Sequence, residues 1–366
     1  MFIQLFINNF AMKTSKINKI KRNMGKSCYY CGSYSEFLDL KERNRFVNEM
    51  KKGAGFTTTY TNSEVESWKA NANAITSLLN KSNIPDDVYV AFEQSAPVGG
   101  RVDCMLFGKG ENGKNNIVLF ELKQWDNSVN VCDESPNLIT AFTGGMLQDV
   151  EHPSMQAHRY HMHFLSYKEM LNGGDYDLTS IAYCYNYNSK GDNLALFAPQ
   201  FKDIMAQHPL FCRDQEQELA QFVASKLCGG KGEDIYDALV SSPTRQTADL
   251  LKSAADLVID QNDKVFSLLG DQANAFTKIK DILEAVKDNE KKVFIIKGGP
   301  GTGKTLLALK LLAETAKMSK QVYYTTRATA LKNQLTSELN SKENDKGFSP
   351  GVTTQHPLPE NVRSQR

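Results

Sequence analysis

What this chain has little of removes several classes of protein at once. No apolar run in its 366 residues approaches the ~20 needed to cross a bilayer, so no membrane partner is expected. The opening MFIQLFINNF is too short to span, has no positive residues ahead of it and lacks a small-residue cleavage site, so it does not read as an export signal. Net charge is only +1, which gives no general argument for a polyanionic partner. Charge is nevertheless uneven, because residues 1–52 hold eleven Lys or Arg against four Asp or Glu. That segment reads as a basic lead-in, partly disordered, over 1–55. The seven cysteines show no pairing scheme and fit reduced thiols in a cytoplasmic protein. Cys28-x-x-Cys31 has zinc-knuckle spacing, but a structural zinc needs four ligands and no second pair follows, so an incidental thiol pair is expected.

What is present is ordinary globular composition, 41% hydrophobic and 23% charged, with length for two domains. The most informative stretch is Gly99 to Trp125, GGRVDCMLFGKGENGKNNIVLFELKQW. Apolar β-formers bounded by turn residues predict strands over 101–107 and 117–123, joined as a hairpin. Strand side chains alternate faces, so Glu121 and Lys123 share one face while Phe120 and Leu122 take the other. Asp103 interrupts the first strand and can lie opposite that pair. Two carboxylates and an ammonium would then meet, enough for a hard cation such as Mg²⁺ (or Mn²⁺) that keeps waters and takes a substrate phosphate. The lysine would orient the attacking water and offset charge developing on phosphorus.

These residues resemble the PD-(D/E)xK nucleases of restriction-endonuclease-like fold: Gly100-Arg-Val-Asp103 on one strand, Glu121-Leu-Lys123 on the next. Downstream, Gln156-Ala-His-Arg-Tyr160 matches the Gln-x-x-x-Tyr of the RecB-like branch, in the required order. The resemblance implies a metal-dependent hydrolase of nucleic acid, DNA in preference to RNA, with Asp103 and Glu121 as ligands. It further implies a glutamate on the first helix as a metal ligand, for which Glu64 is the better placed and Glu66 the second. A favourable acid at a helix N-terminus is the plainer account of Glu64.

Around this centre, Val65, Trp68, Ala72, Ile75 and Leu79 recur at helical spacing, capped by Asn62 or Ser63. A first strand is expected over 86–94. An irregular region follows Trp125, and then a helix starts at Pro153 and runs to about Leu171. Gln156 and Tyr160 lie four apart on one face of it, within reach of the site or the substrate backbone. His158, His161 and His163 invite a metal reading but have no matching carboxylates, so solvent or phosphate contacts are expected. SIAYCYNY over 180–187 would close the nuclease sheet, giving a nuclease-like domain over 56–190 and a helical connector over 191–265.

A second pattern then begins. Val293 to Lys297 reads as a strand, followed by Gly298, Gly299, Pro300, Gly301, Thr302, Gly303, Lys304, Thr305 and an apolar helix. That is GxxxxGK(S/T) in its strand–loop–helix context, an ATP-binding P-loop whose amides wrap phosphates. Lys304 would reach the β and γ phosphates and Thr305 would ligate Mg²⁺. Upstream, the segment ending at Gln272 looks like the glutamine motif of superfamily 1 helicases, where Gln reads adenine. Downstream, QVYYTTRATALKNQL resembles their next strand and helix. The whole order resembles proteins carrying a Schlafen group 3-like DNA/RNA helicase domain behind a nuclease-like domain. This places the N-terminal part of a P-loop NTPase/helicase domain over 266–340 and a disordered tail over 341–366.

No acid after Thr305 closes an apolar strand, so the Walker B element is missing and the ATPase is expected to be shortened at its C-terminus, not a working motor unless a partner chain completes it. The expected class is α/β: a restriction-endonuclease-like mixed sheet flanked by helices, a helical connector and an incomplete RecA-like domain. The expected function is a Mg²⁺-dependent nuclease fused to an ATP-binding helicase-like part. The competing reading is an ATP-binding regulatory or defence module whose inactive nuclease fold only grips nucleic acid.

Overall fold

The computed structural model describes residues 27–55, 60–97, 99–243, 268, 270–286, 290–299, 303–318, 323–326, 333 and 351–354. Its centre is a six-stranded sheet in the order β1-β2-β3-β4-β8-β9. The strands are β1 (Tyr30–Ser33), β2 (Tyr89–Ser95), β3 (Arg101–Lys109), β4 (Asn115–Lys123), β8 (Tyr176–Cys184) and β9 (Leu210–Cys212). Neighbours run antiparallel from β1 to β4. Beyond β4 the pairing turns parallel, through β8 to β9. With both faces covered, β4 loses the polar alternation of a solvated strand, and Asn116 to Leu122 are all buried.

One face carries α1 (Tyr34–Glu42), α2 (Phe46–Ala54), α3 (Asn62–Ser82) and α6 (Glu216–Lys226), which enclose Phe37, Phe46, Ile75, Phe92, Phe120 and Val223. The other carries α4 (Pro153–Tyr167) and α7 (Gly232–Ser241), which bury Phe107, Leu119, Phe164 and Leu239. A short helix α5 (Lys202–Gln207) precedes β9.

Several expectations need correction. The basic lead-in is part of the fold from β1 onward, where Tyr30 packs among Phe37, Phe46 and Phe92. Residues 1–26 lie outside the described residues. The cap of α3 is Thr61, one residue earlier than expected. The connector is no separate unit up to Ser241, since Leu219, Ala220 and Val223 of α6 join the first core and Ile235 and Leu239 of α7 the second. The rest of that expected connector, 244–265, lies outside the described residues. The strand at 180–187 spans Tyr176–Cys184 and does not close the sheet, because β9 pairs beyond it.

The region after Trp125 is ordered as a small antiparallel sheet of β5 (Asn130–Val131), β6 (Leu138–Thr143) and β7 (Met146–Glu151). Gly144 and Gly145 both have positive φ, 60° and 87°, the backbone a two-residue hairpin turn requires. Phe142 and Leu147 face each other at the tip and stay 65% and 69% exposed.

Helix α8 (Gly270–Ala285) docks on this small sheet. The Asp281 carboxylate, buried, accepts from the Ser135 hydroxyl and from Asn137 Nδ2 at 2.7 Å. Asn274 Oδ1 accepts from the Glu151 amide at 3.1 Å, and Lys278 pairs with Glu134 at 2.7 Å. Ala273 and Phe276 also meet Leu307 of α9 (Lys304–Lys317).

Val293 to Lys297 form no strand, and Val293 and Ile295 are 86% and 78% exposed. An apolar run becomes a strand only where a neighbour supplies ladder hydrogen bonds, and none of the described strands lies beside it. The strand expected in QVYYTTRATALKNQL is β10 (Tyr323–Thr326), which pairs in parallel with β11 (Gly351–Thr354). The tail expected to be disordered therefore contributes one strand, and its other residues lie outside those described.

Candidate functional site

The strand ends of the large sheet bring the predicted carboxylates together. Cys104 pairs with Phe120 across β3 and β4, so Asp103 and Glu121 are the next residues of that ladder. The Asp103 carboxylate accepts from the Leu122 amide at 2.7 Å, and Lys123 Nζ donates to Glu121 Oε1 at 2.7 Å. Glu121 is 5% exposed. Burial, then the Glu121 charge, push the Asp103 carboxyl far above the usual carboxylate range despite Lys123 nearby. Burial alone would lower the Lys123 ammonium, but Glu121 and Asp103 outweigh it and hold the group charged.

A further acid stands here that the sequence reading missed. Glu93 of β2 lies between the pairs Phe92–Cys104 and Gln94–Val102, opposite Asp103, with φ at 51°. Positive φ is uncommon for a non-glycine residue, and in mid-strand it marks local strain. Burial raises its carboxyl to about 7, Arg101 opposes the rise, Glu121 and Glu64 add to it, and Trp68 hydrogen-bonds to it. The signal was an acid inside the apolar run VYVAFEQ.

Glu64 sits at the edge of this group, close enough for its charge to act on Glu93, but its carboxylate also caps α3. Glu64 Oε2 accepts from the Thr61 amide at 2.6 Å while the Thr61 hydroxyl accepts from the Glu64 amide at 3.2 Å. Glu66 instead pairs with Lys69 at 2.5 Å.

Of the two residues on α4, only Tyr160 faces the acids. Its ring lies against Gly100, where a Cβ would come within 2.8 Å of the hydroxyl, and Glu121 and Asp103 add to the rise that burial gives its pKa. Gln156 turns back to the helix start and donates to the Glu151 carbonyl at 2.9 Å. Glu151 forms a buried ion pair with Arg159 at 3.1 Å. His152 caps α4 through Nδ1, which accepts from the Ser154 amide, and stacks on Phe201 at 4.3 Å.

The histidines of α4 do not face solvent or phosphate as expected. His158 Nδ1 lies 2.8 Å from His208 Nε2, and Ser180 Oγ bridges His208 at 2.5 Å and His161 at 3.3 Å. His163 is buried. Cys28 Sγ meets the Tyr236 hydroxyl at 3.1 Å, and the described cysteines form no disulfide with one another.

Among the described residues no group of three or more His, Cys, Asp or Glu side chains is placed to hold a metal. Two oxygen donors, Asp103 and Glu121, in an acid-rich recess fit a cation that keeps several waters and completes its shell from a phosphate.

In the second part, Lys304 Nζ donates to the carbonyls of Gly298 and Gly299 at 2.8 and 2.5 Å. Gly303 has φ at 76°, and a Cβ there would come within 2.6 Å of Gln272 Nε2, so Gln272 lies directly against the loop. Thr305 is the second residue of α9, while Pro300, Gly301 and Thr302 lie outside the described residues.

No described helix is long and apolar enough to cross a membrane. No curated protein and no solved structure matches the chain. A family model described as Schlafen group 3, DNA/RNA helicase domain, matches residues 291–356, which marks that stretch as helicase-like and the protein's business as related to nucleic acid.

Proposed function

We propose that the mixed-sheet domain is a metal-dependent nuclease of PD-(D/E)xK type, joined to an ATP-binding helicase-like part. The observation that carries this is the meeting of Asp103, Glu121 and Lys123 at adjoining strand positions, with Glu121 buried. The antiparallel-to-parallel sheet between helix layers supports the restriction-endonuclease-like reading. Asp103 and Glu121 would hold Mg²⁺ or Mn²⁺, which when bound supplies Lewis-acid polarisation of a phosphodiester. Lys123, kept as an ammonium by its neighbours, orients the attacking water and stabilises charge gathering on the phosphate oxygens. Tyr160 closes the site beside Gly100, and Gln156 supports it by fixing the start of α4.

ATP fits the second part, where the ammonium of Lys304 rests on loop carbonyls that phosphate oxygens would replace. Gln272 beside Gly303 would meet the adenine. Lys304→Ala is expected to abolish ATP binding in equilibrium dialysis.

The test of the nuclease is Mg²⁺-dependent cleavage of labelled DNA and RNA, lost in Asp103→Ala and in Lys123→Ala. Cleavage that survives both changes overturns the assignment. The inward turn of Gln156 and the lack, among the described residues, of a three-side-chain metal group favour a second reading, a fold that grips nucleic acid without cutting it. That reading requires binding with no cleavage under Mg²⁺ or Mn²⁺.

A further inference from the structure

Beside the carboxylates runs a row of rings and cations that cleavage itself does not use. The Lys51 ammonium lies 5.6 Å over the Tyr60 ring, and Tyr60 lies 5.5 Å from Trp68. Trp68 meets Tyr29 edge-on at 5.6 Å, and the Arg101 guanidinium lies 4.3 Å over Tyr29. Trp68 is buried and backs the row, whereas Tyr29 is half-buried and Tyr60 and Arg101 are exposed. Arg101 joins the row to the recess: it is two residues from Asp103 and its charge acts on Glu93. The row is built closely. A Cβ on Gly53 would lie 1.6 Å from the Tyr29 carbonyl oxygen, so the helix carrying Lys51 reaches Tyr29 only because a glycine stands there.

A run of flat rings with a cation at each end suits a chain of flat bases on an anionic backbone, and the bases are available to rings only where the strand is unpaired. Glu64 and Glu93 also face Tyr29, so phosphates would follow Arg101 and Lys51 at the outer edge while bases meet the tyrosines. We propose that Tyr29, Tyr60, Lys51 and Arg101 form a landing track for single-stranded nucleic acid leading into the Asp103–Glu121 recess. The direction of the track rests on the nuclease reading; binding to it does not.

The experiment is fluorescence anisotropy of the full chain with a short labelled oligonucleotide, single-stranded or annealed, in metal-free buffer. The unpaired strand should bind more tightly than the duplex. Tyr60→Leu and Arg101→Met should each weaken it roughly tenfold, the scale of one lost base stack, while Tyr60→Phe keeps it. Circular dichroism confirms that each variant is folded. Asp103→Asn should bind as the unaltered protein does and lose only cleavage. Binding that depends on Tyr60 and Arg101 without any cleavage sinks the nuclease and leaves the track standing. Duplex bound as well as single strand, or unchanged affinity in both weakened variants, overturns the track.

Discussion

Glu93→Gln should make the metal-free protein more stable, and by an amount that depends on pH. The carboxyl rises from 4.5 to about 7 on folding because burial, Glu121 and Glu64 disfavour its charge. A change of that size corresponds, at about 1.36 kcal/mol per tenfold change in proton affinity, to about 3 kcal/mol near neutrality. The sign follows from proton counting. Between pH 4.5 and about 7 the folded chain binds more protons at this site than the unfolded chain, so stability falls as pH rises through that window. Glutamine removes the charge but keeps an oxygen to accept from Trp68, so packing is preserved. Urea unfolding followed by circular dichroism should give no gain near pH 4.5, growing to about 2–3 kcal/mol at neutral pH. A gain that is the same at every pH, or a loss at neutral pH, refutes the claim that Glu93 is a destabilised acid.

Gly53→Ala should cost about 2–3 kcal/mol, because its methyl collides with the Tyr29 backbone and neither partner is a flexible side-chain tip; an unchanged unfolding midpoint contradicts this. His161 and His208 are lowered from 6.5 to about 4, chiefly by burial and then by neighbouring histidines. The unfolded chain therefore binds more protons between those values, and stability should fall as pH drops from 6.5 towards 4, a slope that His208→Gln reduces in thermal scans. Asp281→Ala leaves Ser135 and Asn137 without their buried acceptor and should loosen α8 by about 2–3 kcal/mol. Hydrogen exchange of the α8 amides should quicken, and unchanged protection counts against the docking.

The hairpin of β3 and β4 was legible because its signal is local: two runs of apolar β-formers and a Gly/Asn/Lys turn lie within twenty-odd residues of sequence. The meeting of Asp103 with Glu121 follows from that register alone. The small sheet was hidden because Phe142 and Leu147 stay exposed while Ile139 and Ala141 form its buried face, so its apolar residues fall on both faces and give no clean alternation. His158 and His161 could not be read correctly from their own helix, since their partners, His208 and Ser180, arrive from distant segments. The left-handed φ of Glu93 likewise has no local sequence cause; it falls at the gap in the β2–β3 ladder between Phe92–Cys104 and Gln94–Val102. Val293 to Lys297 has the composition of a strand, and among the described residues no strand pairs with it.

The sheet's change of direction at β4 also bears on the order in which this protein can be made. β4 gains its first neighbour, β3, from the residues just before it, but its second, β8, only after more than fifty further residues have left the ribosome. Until then the nascent chain presents the strand bearing the acid and the lysine as an open edge, its Phe120 and Leu122 uncapped by later helices. Interrupted or hurried translation would release chains bare at the strand that matters most.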